Sequence, residues 1–169
     1  MKHVLLTFSR IRKIVQGAFR MEKFFQEFDL LLQSTNYFMN QITRKYLEEK
    51  KLSLPRYWVL LNVNACRGMT MGELQNKMFL APSSVTSLVD SLVEGKLLQR
   101  GDHPEDRRVV RLFITDEGKR VLDEVQAFRF QNLKEAFRDI NPDVFPVLVN
   151  AMEILSGFLR TKQSTANDD

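Results

Sequence analysis

Residues 83–92, Ser-Ser-Val-Thr-Ser-Leu-Val-Asp-Ser-Leu, and residues 104–118, Pro-Glu-Asp-Arg-Arg-Val-Val-Arg-Leu-Phe-Ile-Thr-Asp-Glu-Gly, decide the fold that we expect for this chain. The first stretch has the apolar spacing of a helix, and its opposite face carries small hydroxyls. The second stretch places an Asp-Arg-Arg turn before an apolar, β-branched strand, and Thr115 then begins another helix. A short polar helix followed by a two-stranded ribbon with arginines at its tip predicts a winged helix-turn-helix.

The chain on either side of this core is predicted to be helical. From Met21 to about Lys50, apolar residues recur on one side of a helix of some eight turns. A single small domain does not cover an apolar face of that length, so we expect it to continue onto a second subunit. Residues 116–139 and 143–160 predict two more amphipathic helices, which the Asn141-Pro142 pair separates.

Between these long helices, short signals mark where each element of the core begins and ends. Pro55 and Pro82 suit the first turns of two helices. Thr70 and Glu73 have the spacing of a capping box at the start of a third helix. The strands of the ribbon are expected at residues 97–100 and 109–115.

The predicted protein is therefore mainly α with a small β-ribbon, and it divides along the chain as follows. A basic N-terminal extension (1–20) precedes an N-terminal dimerisation helix (21–53), the winged helix-turn-helix DNA-binding domain (54–116), C-terminal dimerisation helices (117–162) and a disordered tail (163–169).

Composition excludes several classes of protein. With one cysteine, Cys66, and two histidines among 169 residues, neither an internal disulfide nor a structural zinc site is expected, and a reducing, cytoplasmic location is the simple reading. No uninterrupted apolar run approaches the about 18 residues of a membrane span. The chain shows no Ser-His-Asp set, phosphate loop or metal cluster, so we expect neither an enzyme nor a cofactor.

The net charge is +4, and the basic residues concentrate in the N-terminal two-thirds of the chain. A mildly basic protein with arginines at a loop apex suits a polyanionic partner. The polar helix fits the major groove of duplex DNA, and the arginines suit the narrow minor groove.

The core closely resembles the MarR family of bacterial transcription regulators over about residues 54–125. The most specific motif is Asp106-Arg107-Arg108 followed by Leu112, Ile114, Thr115 and Gly118. Two further motifs are Thr70-x-x-Glu73-Leu74 and Val85-Thr86-x-Leu88-Val89-Asp90-x-Leu92.

The resemblance implies a homodimer with interlocking terminal helices, and it implies that Arg108 reaches the minor groove while Arg107 contacts the DNA backbone. Asp106 is able to orient a neighbouring arginine by a bidentate pair. The residues expected to contact DNA are Ser83, Ser84, Thr86, Ser87, Asp106, Arg107 and Arg108.

The chain also departs from the family pattern. Ser87 and Ser91 stand where arginines are common, so the reading face has no cation and depends more on thymine methyls, bridging waters and the wing. Gln75 replaces a usual small alanine. Gly95 lies one position before the usual glycine, which predicts a shifted helix end.

We therefore expect a sequence-specific DNA-binding regulator, a repressor that a small-molecule ligand releases from a pseudo-palindromic operator. The alternative is a winged-helix protein-interaction module that has lost operator binding. A small aromatic or apolar effector is the expected ligand, although six aromatic residues that could line its pocket are interpreted as core: Phe24, Phe25, Phe28, Phe38, Tyr57 and Trp58. Cys66 is interpreted as a buried, inert thiol.

Overall fold

The computed structural model describes the backbone of residues 2–66, 68–102 and 110–166, and the side chains of residues 20–66, 68–101 and 110–162. Within these described ranges lie ten elements: α1 (Lys2–Glu49), α2 (Leu54–Asn64), β1 (Met69–Thr70), α3 (Met71–Met78), α4 (Pro82–Glu94), β2 (Leu98–Asp102), β3 (Val110–Ile114), α5 (Asp116–Ala136), a 3-10 turn (Pro142–Val144) and α6 (Phe145–Ala166). The predicted mainly α protein with a winged helix-turn-helix is confirmed.

Helix α1 begins much earlier than its apolar stripe predicted. The pattern placed its start near Met21 and left residues 1–20 as an extension, whereas the backbone is helical from Lys2. The reason is that the preceding lysines and arginines favour helix and no proline interrupts them. Thus the basic extension is helical and continuous with the rest of α1.

The core of the winged helix-turn-helix lies between α2, α3, α4 and the sheet. Its strands run in the order β1-β3-β2, all antiparallel. Strand β1 was not predicted, because two residues are too few to show the alternation that marks a strand. The fully buried side chains of this core include Val59, Leu60, Val63, Met69, Leu74, Val85, Val89, Leu92, Leu98, Leu112 and Leu122.

The C-terminus of α4 does not shift as the sequence predicted. Lys96 has φ +59°, so it occupies the left-handed position that follows a helix. The Leu97 amide donates to the Leu92 carbonyl at 2.9 Å, and the Lys96 amide donates to the Val93 carbonyl at 2.9 Å. These two bonds form a Schellman motif. The helix therefore ends at the position where the family pattern has its glycine, and Lys96 occupies that position.

Lys96→Gly is expected to stabilise the protein. A left-handed conformation costs a non-glycine residue roughly 1–2 kcal/mol. The greater freedom of glycine in the unfolded chain offsets part of that gain, so we expect about 0.5–1 kcal/mol in the free energy of unfolding. Urea unfolding followed by circular dichroism measures it. An unchanged or lower midpoint would contradict the strain assigned to Lys96.

Thr115 joins β3 to α5, and Gly118 lies in the first turn of that helix. The Thr115 hydroxyl donates to the Lys96 carbonyl at 2.7 Å and accepts from the Gly118 amide at 3.0 Å. A Cβ placed on Gly118 would lie 2.0 Å from the carbonyl oxygen of Leu97. The start of α5 therefore lies so close to the backbone before β2 that only glycine fits.

The chain divides into two compact units, Met1–Arg129 and Phe130–Asp169. Within the first unit, the end of α1 is fastened to α5. Tyr46 and Phe128 stack with ring centroids 4.3 Å apart, and Arg129 donates to the hydroxyl of Thr43, which is fully buried.

An ion pair adds to this junction. The Lys50 ammonium donates to the Glu124 carboxylate at 2.6 Å. That bond raises the pKa of Lys50 and lowers the pKa of Glu124. Both side chains are about a third exposed, so solvent screens the pair and its contribution to stability is small.

The second unit leaves its apolar side chains exposed. In α6, Val147 is 66% exposed and Ile154 is 67% exposed. The end of α5 and the start of α6 enclose an open groove of about 770 Å³, lined chiefly by Phe130, Leu133, Phe137, Ile140, Phe145 and Leu148. The helix also continues to Ala166, beyond the predicted tail boundary at Gln163, because no glycine or proline stops it there.

One helix of the described residues is long and apolar enough on average to resemble a membrane span, although no uninterrupted apolar run reaches that length. By length and composition, Pro142–Lys162 qualifies, with a mean hydropathy of 1.3 over an 18-residue window. Four charged residues nevertheless lie within this segment, at Asp143, Glu153, Arg160 and Lys162. Monomeric soluble proteins rarely expose as much contiguous apolar surface as α6 does.

Candidate nucleic-acid interface

Helix α4 carries the predicted reading face. Pro82 occupies its first turn and Ala81 precedes it as the N-cap. Its apolar side packs into the core, so the opposite side is left for solvent. The structure exposes all four hydroxyl residues that the sequence assigned to DNA contact on this helix: Ser83, Ser84, Thr86 and Ser87.

One of the four hydroxyls is already engaged. Thr86 Oγ1 donates to the Pro82 carbonyl at 2.9 Å, which leaves this side chain an acceptor lone pair and a methyl group. The serines offer small neutral groups that are able to donate or accept. The exposed face therefore suits base edges and thymine methyls better than the strong bidentate recognition of guanine.

Helix α3 packs against α4, and a capping box fixes the residue at which α3 starts. The Thr70 amide donates to a Glu73 carboxylate oxygen at 2.7 Å, and the Glu73 amide donates to Thr70 Oγ1 at 3.2 Å. The first of these bonds lowers the pKa of Glu73. Leu74, the next residue, is fully buried in the core. The predicted capping box is thereby confirmed.

An ion pair that sequence reasoning missed connects α4 to the ribbon. Arg100 of β2 donates to the carboxylate of Asp90 on the exposed side of α4. The arginine neutralises a carboxylate that would otherwise repel DNA phosphates. No local spacing rule could have found this pair, because the partners lie in different elements.

The ribbon of the wing is described up to its last paired residues. Asp102 of β2 pairs with Val110 of β3, and seven residues connect them. One residue before that last pair, a Cβ on Gly101 would lie 2.9 Å from the Phe113 ring, so the ring packs directly on the glycine backbone. The predicted wing contacts, Asp106, Arg107 and Arg108, lie outside the described residues.

The turn between α3 and α4 holds two exposed apolar residues that the sequence analysis did not single out. Phe79 is 65% exposed and Leu80 is 38% exposed. A shallow groove beside them has a volume of about 530 Å³ and is lined by Pro55, Leu80, Ser83, Ser84, Ser87 and Leu88. The only sequence signal was a bulky residue at a helix end where glycine or asparagine is usual.

The structure overturns the core interpretation for three of the six aromatic residues. Three of them are more than half exposed on the single chain, namely Phe24, Phe25 and Phe38. Tyr57 alone of the six is fully in the core, and this burial raises its pKa. The helical repeat of apolar residues does not show whether a face packs inside the chain or against a partner chain.

Cys66 was predicted to be buried, but it is partly exposed. It lies just beyond the end of α2, at the surface boundary, because the helix ends two residues earlier at Asn64. The Lys77 ammonium lies 3.7 Å from its sulfur.

A family model described as MarR family matches residues 50–109. An uncharacterised HTH-type transcriptional regulator of Bacillus subtilis, YsmB, is 30% identical over 73% of this chain and 85% of its own length. The B. subtilis transcriptional repressor MdtR is 31% identical over 49% of this chain and 54% of its own length.

Two solved structures share the architecture. A MarR family protein from Bacillus stearothermophilus superposes with a TM-score of 0.76 at 27% identity, covering 82% of this chain and 97% of that one. CouR from Rhodococcus jostii, bound to p-coumaroyl-CoA, gives a TM-score of 0.61 at 26% identity, covering 74% and 88%.

Proposed function

This chain belongs to the MarR family and is a DNA-binding transcriptional regulator, and we propose that it binds a pseudo-palindromic operator as a homodimer. In this proposal α4 lies in the major groove and the wing between β2 and β3 reaches the adjacent minor groove. The observation that carries it is the exposed hydroxyl face of α4, which the buried core and the capped α3 hold rigidly beside the ribbon.

In this proposal, α4 contacts the edges of the bases, and the wing supplies the positive charge that binds the minor groove and the phosphates. The serines and Thr86 provide neutral contacts, each worth roughly 0.5–1.5 kcal/mol net. Arg108 enters a groove in which the electrostatic potential is strongly negative. Arg107 contacts a phosphate, and Asp106 orients its arginine neighbour.

Homodimerisation is supported by the apolar faces that one chain leaves uncovered. In α1, Phe25 is 59% exposed and Leu31 is 64% exposed, while α6 exposes Val147, Ile154 and Phe158. Monomeric soluble proteins rarely expose contiguous apolar surface of this extent. A twofold pair is the commonest arrangement that covers such faces, and it also gives the two reading helices that a palindrome requires.

We further infer repression that a small aromatic or apolar effector relieves, in the cytoplasm. The named repressor MdtR and the acyl-CoA complex of CouR support this inference for the family. An effector releases DNA only if it binds better to a conformation in which the two reading helices no longer match successive grooves.

Substitutions in the wing and in the helix test how the interface is divided. We expect DNA affinity to fall most for Arg108→Ala, less for Asp106→Ala and least for Ser87→Ala. Loss of a groove-reading arginine costs roughly 1–3 kcal/mol, whereas Asp106→Ala keeps the charge but loses its orientation. Fluorescence anisotropy on one operator duplex at fixed salt measures the order.

Lys119→Ala is the matched control, because it removes the same charge from an exposed position of α5. It should weaken binding less than Arg108→Ala does. If Ser87→Ala proved the most damaging, readout by the helix would dominate and the wing would not be the main anchor.

A further inference from the structure

Phe79 holds an unfavourable conformation at the turn that leads into α4. It caps the end of α3 with φ +52° and ψ +39°, and its amide donates to the Gln75 carbonyl at 3.0 Å. Glycine and asparagine adopt this left-handed conformation readily, whereas a bulky residue does so only at a cost. The backbone alone would therefore favour a different residue at this position.

The Phe79 side chain gains little from the fold in return. It is 65% exposed, so most of its ring faces solvent in the single chain. Leu80, the next residue, is 38% exposed and lines the groove beside Ser83 and Ser84. Both strain and exposure disfavour an aromatic residue here, unless another molecule covers it.

The position of Phe79 indicates which molecule covers it. Only Leu80 and Ala81 separate it from Pro82, the first residue of α4, whose exposed face offers hydroxyls and no cation. An uncharged aromatic ring gains nothing from phosphates, but thymine presents an apolar methyl group in the major groove. The turn thus adds an aromatic and an aliphatic contact to the single methyl group that Thr86 offers on the hydroxyl face.

We propose that Phe79, assisted by Leu80, contacts thymine methyl groups at the edge of the major groove and determines part of the operator sequence. The proposal rests on the proposed placement of α4 in that groove. Each half-site would then contain at least one thymine whose methyl group is recognised by the turn.

The test uses the full-length protein and the duplex that it selects most strongly from a randomised palindromic library. Thymines of that duplex are replaced one at a time by deoxyuridine, which lacks only the methyl group. At the recognised positions we expect wild-type affinity to fall about fourfold for each methyl removed, as for the exposure of one buried methylene.

Phe79→Gly and Phe79→Asn should bind the thymine and deoxyuridine duplexes equally at those positions. Glycine and asparagine both tolerate the left-handed backbone, so neither variant should unfold. We expect Phe79→Gly to raise the melting temperature by roughly 2–4 °C. Lys96→Gly is the matched control, because it relieves the other left-handed residue next to α4 and should retain the full thymine preference.

Three results would overturn the proposal. The first is a Phe79→Gly protein that discriminates thymine from deoxyuridine as the wild type does. The second is a Phe79→Gly protein whose oligomeric state changes while its preference for thymine over deoxyuridine does not, which would assign the ring to a protein contact. The third is a wild-type protein that selects no duplex at all, which would remove the placement of α4 together with this inference.

Discussion

Gly118→Ala is expected to abolish the native fold. The added Cβ would lie 2.0 Å from the Leu97 carbonyl oxygen, 2.9 Å from its carbonyl carbon and 2.9 Å from Ile114 Cγ1. No rotamer change relieves a clash with backbone, so either α5 or the chain entering β2 would have to move. We expect a loss above about 4 kcal/mol, which only severe core defects produce. Soluble yield and a circular dichroism melt measure it.

Gly72→Ala is the control for that substitution. Gly72 stands in α3, and apart from its chain neighbours and the backbone of that helix, no described atom lies within 4 Å of a Cβ added there. This variant should be neutral or up to about 1 kcal/mol more stable. A Gly118→Ala protein that melts like the wild type would show that the close approach of α5 to Leu97 is not required.

Loss of the C-terminal helix is expected to have the largest effect on assembly. Deletion of residues 143–169 should yield insoluble or monomeric protein that no longer binds operator DNA, because it removes α6 and leaves the apolar end of α5 uncovered. Size-exclusion chromatography with light scattering, followed by anisotropy, measures both losses. A soluble monomer that still binds DNA well would contradict the proposed dimer.

A point substitution separates assembly from folding. Ile154 is 67% exposed on the single chain, so Ile154→Glu should be harmless to a monomer but should dissociate a dimer that buries this face. Ser156→Glu adds the same charge about 200° round the same helix, where it should be tolerated. Equal behaviour of the two variants would mean that the Ile154 face is not buried between copies.

The sequence predicted the DNA-binding core well because several local signals agreed there. The apolar period of residues 82–94, the prolines at helix starts and the capping box at Thr70 all specify the same elements. The ribbon followed from the β-branched run that ends at Ile114. These signals act within a few residues of each other, so the chain displays them directly.

Features that depend on distant contacts could not be predicted. The pairing of Met69 with Leu112 creates β1 from two residues that carry no strand pattern. The ion pair between Asp90 and Arg100 joins separate elements. The assignment of Phe24 and Phe25 to the core was wrong because a helical period reports burial without reporting which chain supplies the cover.

One residue shows how a family pattern can mislead about local geometry. Gly95 stands one position early, which predicted a shifted end of α4. The structure instead keeps the usual hydrogen bonds and forces Lys96 into the left-handed position. The hydrogen bonds that end α4, together with the Thr115 hydroxyl that donates to the Lys96 carbonyl, outweigh the preference of a single residue.

The central claim is that two copies of this chain place their α4 helices in successive major grooves of one duplex. Native mass spectrometry with a selected full-site duplex, its half-site and a version with half a helical turn inserted between half-sites tests this claim most directly. We predict that two chains bind the full site, in which the centres of the two half-sites lie about 10–10.5 base pairs apart. The other two duplexes should be bound weakly. A single chain bound equally to all three duplexes would contradict the account.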